Sequence, residues 1–263
     1  MDTDPSPPMP SAALVHDPAV RKLGKGAHRP HAHSLCASAF VAAPAPPASV
    51  SWQAAVVDWP MWGNDAAGNC AWVGPAHMFE CWTANVGATC AITTADCLAA
   101  YSAATGYDPS NPATDQGTVL ADVLPYVRDK GLAGHRWQAW ATIRPSETDL
   151  MKLAIAETGG VLLGFQLPLS VQSQTVWGEG GTGGNDTPGS WGGHCVCGVG
   201  YDERYLYVVT WGQLVPVTWA FVLRCCDEAY ACFSEDFLKG DTAPNGFDRA
   251  ELLAALRALQ GAQ

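Results

Sequence analysis

Residues 192–202 read GGHCVCGVGYD. Cys195 and Cys197 flank Val196 as residues of a buried strand would, and the segment predicts a strand over 194–202. A polar imidazole, His194, opens that apolar run. Gly192 and Gly193 precede it, and without side chains they let a second backbone come close. A histidine at the open end of a buried strand can project into a cleft. The question it raises is which residue would use it.

The partner with the most suggestive setting is Cys70, in GNDAAGNCAW at 63–72, directly before a predicted helix over 69–85. A helix N-terminus lowers a thiol's pKa, and the Cys70 N–H is free there to bind an oxyanion. His77 lies on the same helix face, but seven residues carry it about 10 Å up the axis, out of reach of Cys70. It reads as packing or lining. His135 sits in a turn with no evident role, and His16, His28, His31 and His33 lie in the N-terminal tract. Most of the ten cysteines read as reduced, small core residues, and without a Cys-x-x-Cys pair a zinc ribbon is not expected. Spacing alone favours the plainer reading, a core cysteine and a satisfied histidine.

Outward from these two residues the chain changes material twice. Residues 1–48 carry PSPPMP, HRPHAH and AAPAPPAS and read as an extended arm, leaving 49–263 as the domain. The domain opens with helical patterns: 69–85 with Pro75 near its start, a helix after Thr93 or Thr94, GTVLADVLPYVRDKG ending at Gly131, and SETDLMKLAIAET with a capping box from Ser146 to Asp149. Strand patterns follow at 161–167, 194–202, 205–211 and 215–223, with a Gly-rich loop at 177–193 and a short amphipathic helix in DRAELLAALRALQ. The run at 205–223 is long enough to span a bilayer, but Gly212, Gln213 and Pro216 split it into two strands and a turn. Helices first and strands later predict an α+β fold, a helical half and a sheet half meeting at a cleft.

Composition removes other classes. The net charge is −11 and no basic stripe exists, which excludes a nucleic-acid grip. The single basic cluster is Arg21, Lys22, Lys25 and Arg29, in the arm. No apolar leader is visible in the first 20 residues, so a cytoplasmic location, with reduced thiols and no membrane contact, is the expectation. Three histidines in a Pro-rich arm are a thin basis for metal binding, and no metal or cofactor is expected.

Over nearly all of residues 47–223 the chain resembles the papain family of cysteine peptidases. PASVSWQ (47–53) resembles the start of the mature domain, and NCAW the opening of the central helix. TTADCLAAY, DQGTVLADVLPYVRDKGL and LMKLAIAETGGVLLGFQL resemble the segments that follow. GGHCVCGVGYD is close to the family's Gly-x-His-Ala-Val-x-x-Val-Gly-Tyr, in the required order of Cys before His. The chain is also similar to short papain-like proteins of bacteria and phages. The resemblance implies a two-half fold, with a helical half carrying Cys70 and an antiparallel sheet half carrying His194. It implies acyl transfer at peptide or isopeptide bonds: Cys70 as nucleophile, His194 as proton shuttle, and Asn64 with the Cys70 N–H at the oxyanion. Thr210 falls where the family's orienting Asn stands, and Trp211 would shield that contact. Trp62, Gly192, Gly193 and Trp211 are the expected substrate contacts, with Trp72, Trp177 and Trp191 as further candidates for the lining.

Three departures stand out. Asn64 replaces a glutamine and is one methylene shorter. Thr210 is a smaller partner for an imidazole than an amide. Ala67 stands where the family has a disulfide cysteine, leaving Cys97 without that partner. The arm is short for a pro-region, but could lie in its own cleft or dock on a partner. The alternative to an enzyme is a non-catalytic papain-like module, a structural or binding component of a larger assembly or phage particle.

Overall fold

Helix α1, Cys70–Asn85, is buried on almost every side, as a helix packed all round must be. The computed structural model describes residues 21–28, 35–36, 45–178, 181 and 183–251. Gly74 lets α1 settle on the sheet, since a Cβ there would stand 2.8 Å from Cys195 Sγ and 2.9 Å from Leu162 Cδ1. Beside α1 lie α2, Thr94–Thr105, and α3, Leu120–Asp129. Thr93 caps α2 in a reciprocal box with Asp96.

The sheet has eight strands: β1 (Leu35–Cys36), β2 (Val50–Ser51), β3 (Trp137–Ile143), β4 (Val161–Leu167), β5 (Gly192–Tyr201), β6 (Tyr205–Thr210), β7 (Gln213–Thr218) and β8 (Cys226–Ser234). The order is β1-β3-β8-β4-β5-β6-β7, with β2 pairing β5. All pairings are antiparallel except β1 with β3. One face packs on α1 to α3 through Cys195, Cys197, Val199 and Tyr230. The other is covered by α4 (Thr148–Thr158) and α5 (Trp219–Cys225) through Ile155, Val196, Val208 and Phe221. This is the α+β, two-half arrangement, with α1 as the central contact between the halves.

Several elements differ from the sequence reading. The expected strand at 215–223 ends at Thr218, whose hydroxyl accepts from the Phe221 N–H at 3.2 Å and caps α5. Aromatic and β-branched residues suit a strand in isolation, and packing on the sheet overrides them. Strands β3 and β8 were not foreseen. WQAWATI mixes Trp with Ala, and Asp227-Glu228 interrupts β8 with residues that strands avoid. β3 also lies between α3 and α4, so helices and strands are less segregated along the chain than expected. The capping box at Ser146 is not formed. Helix α4 begins at Thr148, and Glu147 accepts from the Arg144 N–H instead. The last predicted helix extends outside the described residues, but Asp248 and Glu251 exchange capping bonds at its start. Among the described residues no helix is long and apolar enough to cross a membrane.

Candidate active site

Cys70 is the first residue of α1, and Asn69 holds the entry by donating its amide to Trp62 O at 2.9 Å. The sulfur faces the start of β5, where the Cys195 N–H donates to Cys70 Sγ at 3.4 Å. Cys195 follows His194, so α1 and β5 bring the two sequence candidates to one place. Both are buried.

The imidazole is held from behind. His194 Nε2 lies 2.6 Å from Thr210 Oγ1, and the ring stacks on Trp211 at 4.1 Å between centroids. Thr210 and Gln213 close a two-residue hairpin whose central residues, Trp211 and Gly212, have φ of +46° and +67°. A bulky residue in that left-handed region costs about 1–3 kcal/mol, and here the strain lays the indole flat on the imidazole. His194 Nδ1 has no hydrogen-bond partner among the described residues.

Residues 21–28 run through this site. Lys22 N–H donates to Asn64 O at 3.1 Å, and Lys22 O accepts from Asn64 Nδ2 at 3.3 Å and Trp211 Nε1 at 3.1 Å. Thr118 N–H donates to Gly24 O at 2.6 Å, Gly26 N–H to Thr118 O at 2.8 Å, and Lys25 N–H to Gly193 O at 3.2 Å. The arm is thus bound by main-chain bonds to both halves. Gly24 is needed for the fit: a Cβ there would lie 1.6 Å from Gly68 O. The opposing wall is braced by Asp115, which accepts from the Gly68 N–H and from Tyr101 OH, while Gly117 N–H donates to the same hydroxyl.

This cover sets the protonation states. Burial pushes the Cys70 thiol up to about 11, against the N–H groups of Cys195 and Gly24, the charge of Lys25 and the Ala71 N–H, which pull it down. Burial, then the charge of Arg21, holds His194 down at about 3. The thiolate expected from a helix N-terminus is therefore replaced, with the arm in place, by a neutral thiol and a neutral imidazole.

The remaining candidates separate. Gly192 and Gly193 line the arm: a Cβ on Gly193 would lie 2.5 Å from Lys25 O, and one on Gly192 3.0 Å from Leu23 Cδ1. Trp62 is buried against His77 at 5.1 Å, in the helical core. Trp72 donates to Thr118 Oγ1 at 2.9 Å, behind the wall the arm binds, and Trp191 stacks on Trp211. Trp177 is core. His77 bonds Pro60 O at 2.8 Å, and His135 lies 3.1 Å from Asp236 Oδ1. His16, His31 and His33 lie outside the described residues.

The reading from sequence missed the residues around the arm's own lysine, Gly164, Asp227 and Glu228. One signal was present. A lone Gly inside the aliphatic strand VLLGFQL marks a close approach by another group.

No protein-family model matches the chain, and no curated protein matches it in sequence. Solved structures do match. Xylellain, a cysteine protease from Xylella fastidiosa, aligns with a TM-score of 0.54 at 14% identity, over 72% of this chain and 87% of its own. ProCathepsin B S9 from Trypanosoma congolense aligns at 0.56 and 13%, over 85% and 89%. Digestive procathepsin L 3 of Tenebrio molitor larval midgut aligns at 0.54 and 14%, over 82% and 76%. The fold is that of the papain-like cysteine proteases. At these identities the likeness extends to the fold alone.

Proposed function

We propose that the protein is a papain-type cysteine hydrolase acting on peptide or isopeptide bonds, held latent by residues 21–26. The observation that carries this reading is an imidazole fixed in place on the residue next to the one that contacts the thiol. Thr210 holds Nε2, Trp211 holds the ring plane, and Nδ1 is left unpartnered next to the strand residue whose N–H contacts Cys70 Sγ.

With the arm displaced, Cys70 gives its proton to His194 and its sulfur attacks the substrate carbonyl carbon. The carbonyl oxygen becomes an oxyanion, met by the Cys70 N–H and by the Asn64 amide that now donates to Lys22 O. The C–N bond breaks as His194 returns the proton to the leaving amine. Water, losing a proton to His194, then cleaves the thioester and restores the thiol. The arm itself presents the Gly24 N–H to the sulfur, a donor rather than a carbonyl carbon, and so acts as a cover.

A second reading has a specific observation behind it. The neutral pair under a well-bonded arm also suits a non-catalytic module whose cleft is permanently plugged. Iodoacetamide labelling against pH, mapped by mass spectrometry, separates the two. It is run on wild type, Gly24→Val to displace the arm, and that variant combined with Cys70→Ala or His194→Ala. A hydrolase labels fast at Cys70 once the arm is displaced, with a profile that His194→Ala moves towards the free-thiol pKa of about 8.5. Labelling at Cys70 no faster than at other cysteines, arm displaced, sinks the enzyme.

A further inference from the structure

Asp227 and Glu228, on β8, form the acidic end of a pocket beside the site. Neither is held there by the arm alone. Tyr230 OH donates to Glu228 Oε2 at 2.7 Å, and Gln166 Nε2 donates to Asp227 Oδ2 at 2.8 Å. Both donors belong to the sheet, so the carboxylates are aimed by the domain. Glu228 has no exposed side-chain surface. Beside it among the described residues lie the Lys25 ammonium, with Nζ 2.9 Å from Oε1, and the His28 imidazole, with Nδ1 3.0 Å from Oε2, and both come from the arm. A buried carboxylate is costly unless a cation meets it, and here the domain leaves that cation to an incoming chain.

The shape fits one kind of side chain. Lys25 has a fully enclosed side chain that donates to Asp227 Oδ2 at 2.9 Å and Gly26 O at 3.2 Å and forms an ion pair with Glu228 at 2.9 Å, the contacts an ammonium suits. Its stem lies over Gly164, where a Cβ would stand 2.2 Å from Lys25 Cε and 2.6 Å from Glu228 Cγ. Its main chain is bonded to Gly193, the residue before His194.

We propose that this pocket is the side-chain-selecting subsite of the cleft and takes the lysine of a peptide substrate, with Lys25 as the resident occupant. This rests on the reading of the cleft as a peptide-binding site, and it adds the substrate class. The basic cluster of an otherwise acidic chain then has a purpose, since it supplies the arm with the side chain that the cleft selects.

The test is chemical rescue in the full chain. Lys25→Ala removes the equivalent of n-propylammonium from the pocket and is expected to lower the thermal midpoint. Added n-propylammonium should restore most of that loss in a saturable way. n-Propanol at matched ionic strength should not, and the double variant Lys25→Ala/Glu228→Gln should not respond to the amine. Equal effects of amine and alcohol, or rescue that survives Glu228→Gln, overturn the proposal. Should Lys25→Ala fail to fold alone, refolding yield is read in the same titrations. Recovery that needs the amine supports the subsite, and recovery by neither compound counts against it. Midpoints are read without turnover. An inert Cys70 would therefore leave a positive rescue standing, and a failed rescue would leave the cysteine chemistry untouched.

Discussion

Helix α1 takes part in two thiol–imidazole settings. At its first turn Cys70 accepts the N–H of Cys195, the residue after His194, and further along His77 and Cys81 lie one turn apart. All four side chains are buried. Burial lowers both histidines, His77 to about 4 and His194 to about 3, and raises both thiols. What differs is the balance of the hydrogen bonds and the nature of the cover. Cys70 Sγ receives backbone N–H groups from Cys195, Gly24 and Ala71, which favour a thiolate. Cys81 Sγ receives only a side-chain donor, Asn85 Nδ2 at 3.7 Å, and itself donates to the Gly159 carbonyl at 3.9 Å. Cys81 is sealed by core. Part of what seals Cys70 is a chain segment bound through main-chain bonds and one lysine. On the proposed reading that segment is removable, and reactivity would follow from removable cover and pre-set donors rather than from burial.

The largest expected effect treats the two histidines alike and then separates them. Each has a folded pKa depressed below the ordinary 6.5. The unfolded chain binds protons first as the pH falls, so their contribution is fully present above 6.5 and is lost on descent towards 4 and 3. Denaturant unfolding at pH 7 and 4.5 should show a loss on the order of 2 kcal/mol from each. His77→Gln should remove its share in any background. The share of His194 should shrink in Gly24→Val, where the arm no longer buries it. If both shares survive arm displacement, the cover over His194 is not the arm.

Next is the thiol itself. Gly24→Val cannot pass Gly68 and should expel the segment. A Cys70 pKa falling from about 11 towards the free-thiol range raises the thiolate fraction near neutral pH by about two orders of magnitude. Alkylation of Cys70 should rise by at least that factor while Cys81 stays unlabelled. Equal gains at both cysteines would mean general loosening and would dissolve the contrast.

How much of this was legible follows the same contrast. Local patterns carried α1, α2, β4, β5 and β6, because their periodicity and caps lie within a few residues. The hairpin that sets Thr210 against His194 was readable as a turn at Gly212, and the count from His194 reaches the hydroxyl that lies 2.6 Å from Nε2. By contrast β8 was hidden, because the Asp227 and Glu228 that break its pattern are explained by Lys25, some two hundred residues away. The capping box at Ser146 was a local signal that a competing turn bond from Arg144 displaced. Nor does any local pattern reveal that residues 21–26 cross the cleft, since apart from the Lys25 side chain their bonds use main-chain atoms that every residue carries.

A smaller effect probes the hold on the imidazole. Thr210→Val keeps the shape and leaves His194 Nε2 buried without its partner, at a cost of about 1–3 kcal/mol by urea unfolding. Thr210→Ser should restore most of it. Ring-nitrogen NMR should show the tautomer fixed in wild type and Thr210→Ser and mixed in Thr210→Val. A ring still fixed in Thr210→Val would transfer the positioning role to Trp211 alone.

The smallest effect belongs to the other end of the comparison. Cys81→Ala removes one buried sulfur, with its weak contacts to Gly159 O and Asn85 Nδ2, from a site sealed by core, a loss of about 1 kcal/mol in thermal or urea unfolding. Its neighbour His77 stays bonded to Pro60 O, and nothing in the first turn of α1 moves. Cys70 alkylation in the Gly24→Val background should therefore be unchanged by Cys81→Ala. If it falls instead, the middle of α1 helps to position the first turn. The two settings would then be one mechanically coupled unit, in which the distinction between covered and sealed thiols no longer accounts for reactivity.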